Sequence, residues 1–216
     1  MHMMGAHAYG KLLVDRLEYG DADEGDSQLW DVRAWYGGDY RKLWFETEGE
    51  GGAGDAPDVA ELQLRYDRTF APFWSWQAGI RHDLRQHAED TSYLAVGLHG
   101  LAPQWLETDL SAYLSDDGDL SVRAELEYDL LITQRLILQP HLELDASMSR
   151  VDGVDLGRGI SGSEAGLRLR YEIRPELAPY LGVRWERSWG NTRDLRRAAG
   201  EPTSSTSLVI GVRAWF

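Results

Sequence analysis

The stretch LSVRAELEYDL, residues 120–130, alternates strictly between two kinds of side chain. Its even-numbered residues are apolar or aromatic, and its odd-numbered residues are polar or charged. Because successive side chains of a β-strand point to opposite faces, this pattern predicts a strand with one apolar and one charged face. A helix with the same residues would place charges on every side, so a helical structure is disfavoured here.

The same period of two recurs along most of the chain. We count twelve such segments of about ten residues, the length expected of tilted strands that cross a bilayer. They lie near residues 11–20, 28–37, 40–49, 58–68, 73–83, 91–100, 104–115, 119–130, 135–146, 161–172, 178–188 and 204–216. The first segment alternates poorly, and Pro140 in the ninth argues against a complete hydrogen-bond ladder there.

The links between these segments alternate in length. Links after even-numbered segments are tight, as in GGD at 37–39 and LAP at 101–103, whereas most of the others are longer and more polar. Short turns at one rim and long loops at the other are typical of outer-membrane barrels. We therefore predict an all-β fold: a 12-stranded antiparallel up-and-down transmembrane β-barrel with both termini periplasmic. A soluble β-sandwich would show the same alternation and is the alternative fold.

The composition argues against several classes of protein. The chain has 216 residues, a formal net charge of −14 and no cysteine, which disfavours nucleic-acid binding and excludes disulfides. It has no apolar run of about 18 residues, so a transmembrane helix is excluded. No nucleophile elbow, phosphate-binding loop or converging Ser/His/Asp set is present, and we expect no enzymatic activity.

In a barrel, the polar faces of the strands would line the lumen and the apolar faces would contact lipid. Large side chains of both charges would then face inward: Arg65, Arg81, Glu107, Arg123, Glu125, Glu127, Arg168, Arg170, Glu172, Arg184 and Glu186. This arrangement has two interpretations. It is either a network of ion pairs that narrows the interior, or a polar conduit for a specific solute.

One group of candidate metal ligands lies in the N-terminal stretch MHMMGAH, residues 1–7. It contains His2, Met3, Met4 and His7. Thioethers are soft ligands that suit Cu(I), and imidazole also suits Cu(II). A disordered tail without a metal role is the alternative interpretation.

A second group lies within the predicted barrel. Alternation places His99, His141 and Glu143 on the inward face. Glu143 follows His141 on the same face and could act as a second ligand or as an orienting partner. Membership of the lumen ion-pair network is the alternative role for both histidines.

Several segments, taken in order and at their spacing, resemble one known family. They are LEY (17–19), AWYGGD (34–39), KLWFETEGE (42–50), QAGIRHD (77–83), YLAVGLHGLAP (93–103) and EYDLLITQRLILQP (127–140). The chain resembles the copper resistance protein B (CopB/PcoB) family of Gram-negative outer-membrane barrels. The resemblance runs from about Leu17 to Phe216.

This resemblance implies a role in copper resistance: binding copper, helping to export it at the outer membrane, or both. The implied partners are copper ions, outer-membrane lipid, periplasmic copper-binding proteins and the barrel-assembly machinery. It also implies that residues 1–10 end a Met/His-rich periplasmic segment, expected to be disordered, and that residues 11–216 form the barrel. A general diffusion porin without metal specificity is the alternative function.

Overall fold

The computed structural model describes residues 8–22, 25–52, 56–86, 88–149 and 157–216. These residues form thirteen antiparallel strands, one 3₁₀ helix at Pro103–Trp105 and one α-helix, α1, at Gly190–Ala199. The strands are β1 (Tyr9–Ala22), β2 (Gly25–Gly37), β3 (Arg41–Gly52), β4 (Val59–Ala71), β5 (Trp74–Arg85), β6 (Thr91–Ala102), β7 (Leu106–Ser115), β8 (Leu120–Glu127), β9 (Leu130–Leu131), β10 (Leu136–Ser147), β11 (Gly159–Tyr171), β12 (Leu177–Ser188) and β13 (Ser204–Trp215). Neither described helix is long and apolar enough to cross a membrane.

The sheet closes on itself to form a barrel. Apart from β8 and β9, each strand pairs with its neighbours in chain order, and β1 also pairs with β13. The short β9 and the longer β8 both pair with β10, so together they occupy one position in the wall. The predicted barrel of twelve strand positions is therefore confirmed, and the sandwich is wrong.

Backbone hydrogen bonds continue the closure to the last residue of the chain. The Leu12 amide donates to the Phe216 carbonyl at 3.0 Å, and the Phe216 amide donates to the Leu12 carbonyl at 2.8 Å. A closed sheet leaves no lipid-exposed edge of unpaired backbone groups, which a bilayer does not tolerate.

A β-bulge explains why the first segment alternates poorly. Val14 pairs with Val32 and Arg16 pairs with Asp31, which leaves Asp15 as the extra residue of β1. The side chains of Asp15 and Arg16 are consequently both turned inward, at 10% and 5% exposure. One extra residue thus brings two adjacent charges into the lumen.

Pro140 interrupts the neighbouring strand and leaves its own strand intact. His141 pairs with Glu127 and Leu138 pairs with Leu130, so the gap between β8 and β9 lies opposite Pro140. Tyr128 in this gap still donates its amide to the Pro140 carbonyl at 3.2 Å. Proline has no N–H to donate to the Tyr128 carbonyl, so one hydrogen bond of the ladder is missing at this point.

The barrel exposes apolar side chains and buries charged ones. On the outer face, Leu94 is 62% exposed, Leu181 62% and Leu208 67%. In the lumen, Arg65 and Arg168 are buried. This inversion of the usual soluble pattern matches a wall that contacts hydrocarbon and encloses a polar interior.

The two rims differ in the length of their links. The longer links, including the one that carries α1 between β12 and β13, lie at what we call the long-loop rim. The links at the short-turn rim, including the 3₁₀ helix between β6 and β7, are all short. The long-loop rim also has a tight link, since β1 ends at Ala22 and β2 begins at Gly25.

Candidate functional site

A larger and a smaller cavity lie in the lumen that the described residues enclose. The larger, of about 450 Å³, lies towards the long-loop rim, and its lining includes Thr192 of α1. The smaller, of about 60 Å³, lies towards the short-turn rim and is lined by Glu107 and Arg213, among other residues. The lumen is therefore widest at the long-loop end and narrow at the other.

A layer of ion pairs separates the cavities. Arg16 lines the smaller cavity, and its guanidinium lies 2.5 Å from Glu48 and 3.4 Å from Glu164, which line the larger one. The same guanidinium lies 3.4 Å from Asp31. Arg16 thus joins carboxylates on opposite walls of the barrel.

Three potential metal ligands meet in this layer: Glu125 of β8, and His141 and Glu143 of β10. One ligand atom from each residue lies within 4.8 Å of the others, so the three side chains could share one ion. Strand pairing sets this arrangement, because Glu125 lies directly opposite Glu143. Glu143 lines the larger cavity, whereas Glu125 and His141 line the smaller one. The cluster therefore lies where the two cavities approach each other.

His141 contributes a buried nitrogen that has no hydrogen bond. Its residue is 8% exposed, and Nδ1 makes no hydrogen bond within the described residues. The carboxylate of Glu164 lies 3.6 Å from this nitrogen. A buried polar atom without a partner is costly, and ligation of a metal ion would satisfy it.

Arginines compensate the two carboxylates of the cluster. Arg123 Nε lies 3.2 Å from Glu143, and an Arg33 guanidinium nitrogen lies 3.7 Å from Glu125. Removing one member of a buried ion pair exposes the other to a large desolvation cost. The arginines thus balance the charges of both carboxylates, and any cation that enters the cluster must compete with these guanidinium groups.

His99 is predicted to face inward and does so, but it lies outside the three-residue cluster. Its Nδ1 atom lies 3.6 Å from Asp109, and its ring lies against Trp44 with the centroids 5.9 Å apart. His99 and His141 nevertheless line the same small cavity. The structure therefore brings His141 and Glu143 together and keeps His99 nearby.

The remaining predicted ligands are His2, Met3, Met4 and His7. All four lie outside the described residues.

Alternation places Glu125 inward but does not identify it as a ligand. Strand pairing was the missing information, since Glu125 meets Glu143 only in the observed register. A signal was available, because the tight link at 131–133 joins these two segments into a hairpin. The register is the same on both sides of the interruption opposite Pro140, so counting residues back from this link leads to the Glu125–Glu143 pair.

The cluster offers one imidazole and two carboxylates. Nitrogen and oxygen ligands suit Cu(II) and Zn(II), whereas Cu(I) prefers thioether or thiolate sulfur. The three ligands of the cluster are nitrogen and oxygen donors, and the chain has no cysteine. Its chemistry therefore favours a divalent cation.

Comparison with known proteins identifies one family. The family model described as "Copper resistance protein B precursor (CopB)" matches residues 8–216. Copper resistance protein B of Escherichia coli is 38% identical over 205 residues, covering 95% of this chain and 69% of that protein. A copper resistance protein B homolog of Pseudomonas syringae pv. tomato is 41% identical over 204 residues, covering 94% and 69%.

Solved structures share the barrel fold at low sequence identity. The NanC porin has a TM-score of 0.61 at 14% identity, covering 94% of this chain and 98% of its own. The KdgM porin has a TM-score of 0.55 at 11% identity, covering 95% and 99%. At these identities the likeness concerns the fold alone.

Proposed function

Since this chain belongs to the copper resistance protein B family, we propose that it binds copper(II) inside its lumen, at the outer membrane, as part of copper resistance. The observation that carries the proposal is the cluster of Glu125, His141 and Glu143 between the two cavities. Its imidazole and carboxylates are ligands that Cu(II) accepts. Membership of the family supports copper as the metal, and the cluster supports a binding site within the lumen.

Location at the outer membrane is part of this proposal. Leucines are exposed on the outer face of the barrel, where their apolar side chains would contact outer-membrane lipid. The porin-like fold supports the same location. In the orientation we propose, the short-turn rim faces the periplasm, where copper-binding proteins could meet the smaller cavity.

A titration of the purified full chain with Cu(II) tests the site. We expect His141→Gln to weaken binding by about tenfold or more, because it removes the nitrogen ligand while keeping a polar side chain of similar size. The matched control is His82→Gln, since His82 contacts Ser92 and lies outside the cluster. Isothermal calorimetry and the Cu(II) electron paramagnetic resonance spectrum would report affinity and nitrogen ligation.

A form without residues 1–7 separates the lumen from the N-terminal stretch. The lumen site is supported if the shortened form binds copper as tightly as the full chain and His141→Gln binds it more weakly. If removing residues 1–7 abolishes binding while His141→Gln leaves it unchanged, copper binds through the N-terminal stretch and the lumen site is wrong. Absence of copper binding by the full chain would refute the proposal as a whole.

A further inference from the structure

Strand pairing places five acidic residues in one continuous row. Each lies directly opposite the next on five consecutive positions of the wall: Asp109, Glu125, Glu143, Glu164 and Glu186. The side chains of directly opposite residues are about 5 Å apart at Cβ. We call this set the carboxylate row.

The carboxylate row extends from one cavity to the other. Asp109 lies near the short-turn end of β7 and lines the smaller cavity, whereas Glu186 lies near the long-loop end of β12 and lines the larger one. Barrel strands are tilted, so residues that face each other on neighbouring strands lie at successively different heights along the barrel axis. The row therefore runs from one end of the lumen towards the other. His99 lies opposite Asp109 and extends the row at the short-turn end.

Like charges directly opposite each other on neighbouring strands destabilise a sheet. Here every member of the row has an arginine partner at 2.9–3.8 Å. In the order of the row, these arginines are Arg65, Arg33, Arg123, Arg16 and Arg184. The negative charge of each acid in the row is therefore balanced by an arginine side chain.

Each of these arginines also contacts an acid outside the row. In the same order, these second acids are Glu46, Asp31, Asp145, Glu48 and Glu50. An arginine could therefore release its carboxylate in the row and still keep a partner. Release would avoid the several kcal/mol that a buried, unpaired charge costs.

A second observation points to a ligand in the middle of the row. Among the described residues, the Nδ1 atom of His141 has no hydrogen-bond partner, and the side chain lies beside three members of the row, Glu125, Glu143 and Glu164. A row that served only as an ion-pair network would not require this nitrogen. A metal ion that reaches the centre would gain an imidazole ligand there.

We propose that copper(II) crosses the lumen along the carboxylate row, replacing each arginine in turn as that arginine moves to its second acid. This inference rests on the proposed copper binding and extends it from a site to a route. A divalent ion carries twice the charge of a guanidinium, so it can displace the arginine from a carboxylate. The route would not bind anions in the same way, because each of its arginines already has a carboxylate partner.

Transport into liposomes tests the route. The full chain is reconstituted around a fluorophore that copper quenches, and the initial rate of Cu(II) entry is measured. We expect Asp109→Asn and Glu186→Gln each to slow entry by about tenfold, because a ring or row of acids conducts only if each site is present. Both residues lie outside the Glu125–His141–Glu143 cluster.

The matched control is Asp67→Asn. Asp67 is a buried carboxylate of β4 that accepts a hydrogen bond from Gln77 and does not belong to the row. We expect its entry rate to stay within about twofold of the unsubstituted protein. Migration on gels before and after heating would show that every variant is folded.

Binding measured on the same preparations separates the two proposals. The route is supported if the row variants still bind copper at the cluster but admit it slowly, and the control does not slow. It is overturned if the row variants and Asp67→Asn admit copper equally fast, or if the unsubstituted protein binds copper without admitting it. If the unsubstituted protein binds no copper, the proposed function itself is wrong.

Discussion

At the scale of single residues, the lumen is organised by charges that are buried and paired. Asp83 is the extreme case, with 0% exposure. It accepts hydrogen bonds from Arg81 at 2.6 and 2.9 Å and from Arg85 at 2.9 Å. Buried charges of this kind require their partners, since an uncompensated ion in a poorly solvated interior is unfavourable.

We expect Asp83→Asn to lower the free energy of unfolding by about 3 kcal/mol, because it leaves two guanidinium groups without their shared anion. Urea unfolding in lipid vesicles, followed by tryptophan fluorescence, measures this loss. Asp116→Asn is the matched control, since Asp116 is exposed in the turn after β7 and should change stability by less than about 0.5 kcal/mol. Equal stabilities for the two variants would contradict a structural role for the Asp83 pairs.

At the scale of the strand, alternation predicts which face each side chain takes. Residues 120–130 illustrate this: Arg123 and Glu125 line the lumen cavities as expected, and Leu130 is exposed on the outer face. Alternation does not specify which residue of the next strand lies opposite, nor which arginine reaches across the lumen. Alternation alone therefore does not give the pairing of Glu125 with Glu143, which also depends on the register set by the link at 131–133.

Two local irregularities also lie beyond what alternation predicts. The bulge at Asp15 adds one residue to β1, and its only signal in the sequence is a lapse in the pattern. Pro140 raised the expectation of a broken ladder, but the break falls in the partner strand, between β8 and β9. Because proline has no N–H, the carbonyl opposite it on the partner strand lacks a hydrogen-bond donor, and the ladder breaks in that strand.

Restoring that donor gives a prediction for β10. We expect Pro140→Val to add a hydrogen bond to the Tyr128 carbonyl and to stabilise the barrel by about 1 kcal/mol. For a chain of this size, the midpoint of thermal unfolding would rise by about 2–4 °C. Pro72→Val is the control, because Pro72 lies in the turn between β4 and β5, where no ladder bond is missing. A midpoint that fails to rise above the control would show that the gap has another cause.

At the scale of the whole molecule, the barrel resembles a porin in its wall and differs from an open pore in its interior. The lumen is divided into cavities of about 450 and 60 Å³, with Arg16 joining the walls between them. A general diffusion porin would need a continuous aqueous passage. The division therefore argues against an open diffusion pore.

Single-channel recording tests this view of the interior. We expect the unsubstituted barrel to carry a steady current far below that of an open porin, and Arg16→Ala to increase it by joining the two cavities. Arg170→Ala is the control, because Arg170 is buried and paired with Asp129 but lines neither cavity. A large, unselective current through the unsubstituted protein would favour the diffusion porin instead.

The bulge at Asp15 also determines where homologous chains can differ in length. In a regular strand, the loss of one residue moves every later side chain to the opposite face. Loss of the bulged residue instead restores regular pairing, so Arg16 stays inward and Leu17, which is 54% exposed, stays outward. An alignment of homologues that needs a single-residue gap in β1 should therefore place it at position 15, where evolution can add or remove a lumen charge without refolding the wall.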